Sequence, residues 1–183
     1  MNGWLVLAVV ALVLLTLVGL YLSMTAGRLD HLHRRIDTSQ LALDAQLVRR
    51  SAVCAELASS GLLDPASSML LADAAHRART SSDIGGDART LAESDLTSVL
   101  MAALDVDDVE EVRAGPQGPE LLAELDAACR RVQLSRRFLN DAVRACRQLR
   151  RQRMVRLFRL AGHTPWPETV EMDDRSPGET PSG

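Results

Sequence analysis

The apolar positions of this chain are unbroken at its start and periodic afterwards. From Trp4 to Leu22 it reads WLVLAVVALVLLTLVGLYL, nineteen residues without a charge, and no charged side chain precedes Arg28. A helix rising about 1.5 Å per residue crosses a hydrocarbon core of about 30 Å in about twenty residues. The run therefore predicts a transmembrane helix over residues 4–23, with residues 1–3 as a short extracytoplasmic segment. Beyond it Leu29, Leu32, Ile36, Leu43, Leu47, Cys54 and Leu57 recur at spacings of three, four or their sums, the stripe of an amphipathic helix. That helix is expected over 28–59, closing near Gly61.

Asp64-Pro65 combines a capping side chain with a first-turn proline and predicts a second helix over 65–80. The SSDIGGD stretch is a loop by composition. A third helix over 88–104 carries Leu91, Leu96, Val99, Leu100 and Ala103 on one side. DVDDVEEV followed by AGPQGP is expected to be an acidic connection, and Pro119 opens a fourth helix with no Gly or Pro before Gly162. Leu125, Cys129, Val132, Leu139, Val143, Cys146 and Leu149 form its apolar face. From His163 the sequence is proline-rich, acidic and polar, as in disordered tails. The expected fold is all-α: an N-terminal transmembrane helix, a long-helix antiparallel four-helix bundle over 28–162, and a disordered tail over 163–183. In an up-and-down bundle the far end of the fourth helix returns toward the membrane.

Composition sharpens this picture. Only Trp4, Tyr21, Phe138, Phe158 and Trp166 are aromatic in 183 residues, so the core must be aliphatic, which favours helices over a sheet. All 21 basic residues are Arg, and the net charge of −3 is a cancellation. Residues 83–112 hold nine acids and one Arg, net −8, whereas residues 128–160 hold eleven Arg and one Asp, net +10. Met1-Asn2-Gly3 has no side-chain charge, and the apolar run exceeds the about 7–15 residues of a cleaved leader, so the span is read as retained. Arg28, Arg34 and Arg35 follow it, which by the positive-inside rule places the C-terminal part in the cytoplasm and the N-terminus outside. Cys54, Cys129 and Cys146 are odd in number and widely spaced, fitting buried free thiols in a reducing compartment.

The Arg block leaves three readings open. Arg150, Arg151, Arg153, Arg156 and Arg159 at the end of the fourth helix could contact anionic lipid or a protein partner, each Arg near a surface adding about 1 kcal/mol. They could equally be solvated or pair with the acidic block. Nucleic acid fits least, because interleaved aromatics are missing. No glycine-rich phosphate loop, nucleophile elbow or metal spacing is present: His31 and His33 point apart on a helix, and Asp105, Asp107 and Asp108 lack the glycine and distal Glu of a calcium loop. Catalytic, cofactor and metal sites are accordingly not expected.

Two segments resemble the LemA family. RLDHLHRRIDTSQLALDAQLVRR, 28–50, is similar to its first cytoplasmic helix through Asp44, Gln46, Leu47, Arg49 and Arg50. RRVQLSRRFLNDAVRACRQL, 130–149, resembles its Arg-Arg-Phe-Tyr-Asn signature through Arg136, Arg137, Phe138 and Asn140, with Leu139 in place of Tyr. Ala92-Glu93-Ser94-Asp95-Leu96 is similar to the start of the family's third helix. The resemblance implies a bacterial inner-membrane protein with one N-terminal span and a cytoplasmic helical bundle. From the residues themselves, Phe138 has the phase to enter the bundle. Asn140, Arg136 and Arg137 are candidate polar partners for Asp44 or Gln46, either as a network fixing helix register or as a partner site. The expected function is a structural or protein-interaction module with unidentified partners; the alternative is a tethered regulator of a signalling or proteolytic system.

Overall fold

The computed structural model describes residues 3–81, 86–158 and 164–177, with Val106 by its backbone alone. Among the described residues the regular elements are six helices: α1 Gly3–Ser59, α2 Pro65–Thr80, α3 Asp87–Ala103, α4 Val106–Ala114, α5 Gly118–Arg150 and α6 Arg153–Leu157. The expected span and the first bundle helix are one element. Nothing between them breaks a helix except Gly27, which costs only about 1 kcal/mol relative to Ala. The apolar part of α1 is long enough to cross a membrane, and none of it is buried within the protein. Gly61, at φ +74°, follows the end of α1 in the left-handed conformation that favours glycine.

α2 starts where expected. The Asp64 carboxylate accepts from the backbone N–H of Ala66 at 2.8 Å and of Ser67 at 3.2 Å. Hydrogen bonds from the Ser67 side chain, then from these N–H groups, hold that carboxyl below its ordinary value. The acidic connection contains a helix that the pattern does not announce. Asp105 caps α4 by accepting from the N–H of Asp107 and Asp108, both at 3.0 Å, and the acids of its first turn suit the positive end of a helix dipole. The turn into α5 needs glycine at 118, because a Cβ there would lie 1.7 Å from the Val112 carbonyl oxygen. At its far end α5 stops at Arg150 rather than running to Gly162, and nothing in the local sequence marks this break.

The chain divides into two compact units. The first comprises residues 1–37 and 141–167. Among the described residues, Leu29 and Ile36 of α1, Ala142, Val143, Cys146 and Leu149 of α5 and Val155 of α6 are its buried apolar residues. The second comprises residues 38–140 and 168–183. Its core draws on Val53, Cys54 and Leu57 of α1, Leu71, Ala74 and Ala78 of α2, Leu96 and Leu100 of α3, Val112 of α4, and Leu125 and Cys129 of α5. Small residues on α2 let it pack closely against α3. All three cysteines are buried and none forms a disulfide among the described residues.

The tail departs from expectation. Residues 164–177 are extended and anchored, with Val170, Asp174 and Ser176 buried. His163 and residues 178–183 lie outside the described residues, as do Ser82–Gly85 of the expected loop. Proline and acid content argues for disorder only where no partner surface meets the segment; here helix side chains supply that surface.

Candidate functional site

Within the second unit, charges occupy a place that composition assigns to aliphatic side chains. Arg50 of α1 is fully buried and faces α3, where its Nη2 donates to Glu93 Oε2 at 2.7 Å and to the Glu93 carbonyl at 3.2 Å. Its Nη1 donates to Thr97 Oγ1 at 3.2 Å, while Nε is buried without a hydrogen-bond partner. Glu93, equally buried, accepts through Oε1 from Arg89 Nε at 3.0 Å, and Arg89 also reaches the Ser81 carbonyl and Asp44 Oδ1, the latter at 3.4 Å. Two cations and two anions thus balance. Enclosing ions carries a desolvation cost that close pairing largely offsets, so such a network specifies register more than it adds stability.

Cys54 lies near this network. Burial pushes its thiol up to about 12 against the pull of Arg50, so it stays neutral and a poor nucleophile at physiological pH.

Above the network an extended strap, residues 168–177, crosses α3 and α5. Thr97 Oγ1 lies 2.8 Å from the Asp173 carbonyl, linking strap to network, and the Asp173 N–H donates to Ser94 Oγ at 3.1 Å. From α5, Gln133 Nε2 donates to the Asp174 carbonyl at 2.9 Å, and Arg136 grips the Asp174 carboxylate through Nε at 2.6 Å and Nη2 at 3.0 Å. Asn140 makes a two-way pair with the Val170 backbone: its Nδ2 donates to the carbonyl at 3.0 Å, and its Oδ1 accepts from the N–H at 2.9 Å. Ser176 Oγ lies 3.3 Å from Asp126 Oδ1.

These contacts redistribute the expected site residues. Asp44 and Arg50 join Arg89 and Glu93, not Asn140 and Arg136, which hold the strap. Gln46 is half-buried with Oε1 unpartnered, and Arg49 makes an exposed pair with Glu124 at 2.6 Å. Arg137 is exposed. Phe138 does not enter the core: it is 52% exposed, while the neighbouring Leu139 is fully buried. One residue is about 100° of helix rotation, so a single step in phase exchanges inside for outside. The ion pairs of the acidic block go to Arg50, Arg77, Arg89 and Arg113, and those of the Arg block to Asp126, Asp141, Glu171 and Asp174.

In the first unit, Arg150 donates to the Pro165 and Thr164 carbonyls at 2.7 and 2.8 Å and lies 5.0 Å from the Trp166 ring centre. Arg147 donates to the Pro167 carbonyl at 2.7 Å. Arg151, Arg153 and Arg156 are exposed beside the exposed Leu157 and Phe158, and Arg159 lies outside the described residues. Sequence reasoning missed Arg89, Thr97, Val170 and Asp174. Arg89 and Glu93 did carry a signal, as an i, i+4 pair holding the one Arg of the acidic block.

No family model, curated protein or solved structure matches this chain.

Proposed function

We propose that this chain is a single-pass membrane protein of LemA type whose helical part holds protein partners at the cytoplasmic face of a bacterial inner membrane. The carrying observation is that the apolar length of α1 is entirely unburied and is followed on the same helix by Arg28, Arg34 and Arg35. Lipid is the cover that such a surface needs, and the arginines orient it with the N-terminus outside. The helices of the second unit are read as an antiparallel bundle on the LemA plan, a reading supported by the core they share. Flotation with membranes and alkaline extraction test the anchor, and protease protection of a C-terminal tag in spheroplasts tests its orientation. Release by alkaline carbonate, or tag cleavage from outside, would sink the proposal.

A second contact is favoured by α6 and its surroundings. Arg151, Arg153 and Arg156 are exposed, as are Leu157 at 72% and, against Arg150, Trp166 at 45%, the cationic and amphipathic mixture that suits an anionic interface. In the same unit a groove of about 680 Å³ is lined by Met24, Arg28 and His31 just past the span and by Gln148 and Gln152 from the α5 end. That proximity supports the return of α5 to the bilayer. Equal binding of the protein's soluble part to neutral and anionic vesicles would remove the lipid contact.

A further inference from the structure

The strap is held chiefly through its backbone. Apart from the grip of Arg136 on Asp174, the bonds from Ser94, Thr97, Gln133 and Asn140 end on strap backbone, at Val170, Asp173 and Asp174. Asn140 offers its amide to Val170 as a neighbouring strand would offer a peptide group, a mode of contact that accepts any residue with a free N–H. Three strap side chains are held closely, and Ser176, buried with Oγ 3.3 Å from Asp126 Oδ1, closes the far end. Val170 is buried, and the Asp174 carboxylate is forked by Arg136, four residues apart along an extended segment. Arg131, Arg136 and Arg137 give this stretch of α5 a positive field that selects acidic sequence. Val170 is the one buried apolar side chain among the described strap residues, and hydrogen bonds net of solvation are of the same order as the entropy lost on ordering. Covalent attachment is therefore a large part of what keeps it in place.

We infer that the groove between α3 and α5 is a recognition site for an extended acidic segment of a partner protein, with an apolar residue four positions before an Asp, and that residues 168–177 occupy it as an internal competitor. The strap then tunes partner capture: a partner segment gains access when the cis segment is weakened. This deepens the partner-holding reading above and rests only on its protein-binding half, so failure of the membrane anchor in flotation leaves the experiment below interpretable.

The probe is a fluorescein-labelled peptide PETVEMDDRSPG, titrated by anisotropy into the full chain in detergent micelles. The V170D/D174R variant opposes its own strap with a buried acid and with an Arg set against Arg136. It is expected to bind the peptide at least tenfold more tightly than the unsubstituted chain, and N140A added to it should remove that gain. The milder D174R, with at least a threefold gain, serves if the double variant loses its helical circular dichroism. Absence of binding by a folded strap variant overturns the inference. So does equal binding of a scrambled peptide of the same composition, which would reduce the effect to charge. Sedimentation showing a dimer in the unsubstituted chain that V170D/D174R abolishes would also overturn it, by assigning the groove to a second copy.

Discussion

The two units of this chain invert the usual distribution of polar and apolar groups in different ways. In the first, Leu7, Leu12 and Leu15 are 66–72% exposed, an arrangement that water penalises and lipid rewards. In the second, Arg50 and Glu93 have no exposure at all, an arrangement that water favours least and that only mutual pairing makes tolerable. An apolar surface names its solvent, because the hydrophobic effect is non-directional and any hydrocarbon will serve. A buried ion pair names its partner, because only a group of opposite charge in the right place will do. The first unit therefore carries an apolar run long enough to cross a membrane, while the buried ion pairs of the second tie its helices to one another.

Breaking one unit should leave the other intact. Glu93→Ala strands Arg50 and Arg89 and should cost about 3–5 kcal/mol in denaturant unfolding of the second unit, with membrane flotation unchanged. Leu14→Arg should do the reverse. It adds about 2.5–3.5 kcal/mol to insertion at the middle of the span, so flotation falls while the unfolding midpoint of the helical part holds. A single substitution that abolishes both readouts would show the units to be energetically one.

Asn140→Ala should cost about 1–3 kcal/mol by leaving the Val170 N–H and carbonyl unpaired. Hydrogen exchange at 168–176 should quicken well before that of α2 or α3. Slower effects at the strap than in the helix core would contradict the picture of a detachable segment. Phe138→Ala should change stability by less than about 0.5 kcal/mol, as at an ordinary exposed site. A loss comparable to that of Leu139→Ala, about 2–5 kcal/mol for a buried leucine, would restore Phe138 to the core.

The mildest perturbation is acid. The Arg175 side chain, then its N–H and the charges of Arg175 and Arg50, hold the Asp173 carboxyl below its ordinary 3.8. A carboxyl whose folded value lies below its unfolded one contributes stability that is present above 3.8 and lost as pH falls through the folded value. Strap protection in hydrogen exchange should accordingly hold across neutral pH and decline only below about 4.

Much of this was legible in residue order. Asp64-Pro65 marks the start of α2, and the heptad-like stripe marks the face of α1 that carries Leu43, Leu47 and Leu57, all buried. α4 was hidden because its acids read as a loop, although Asp105 followed by acids is also a capped first turn. The candidate site was legible residue by residue and not by pairing. Arg50, Glu93, Arg136 and Asn140 stand out in the sequence, yet spacing alone cannot say that Arg50 meets Glu93 while Arg136 meets Asp174. Local periodicity reports which way a side chain faces, whereas the identity of what it faces depends on chain reversals dozens of residues away.

Sequence by itself determined that the chain is helical, that one run of α1 requires an apolar cover, and that its charges are segregated, since these follow from nearest-neighbour chemistry and helical phase. Tertiary structure alone decided that two arginines are enclosed with Glu93, that Leu139 rather than Phe138 turns inward, and that an acidic, proline-rich tail is fixed across α3 and α5. Each of those outcomes is a competition between water and a distant side chain, and only the folded chain brings the competitor within hydrogen-bonding reach.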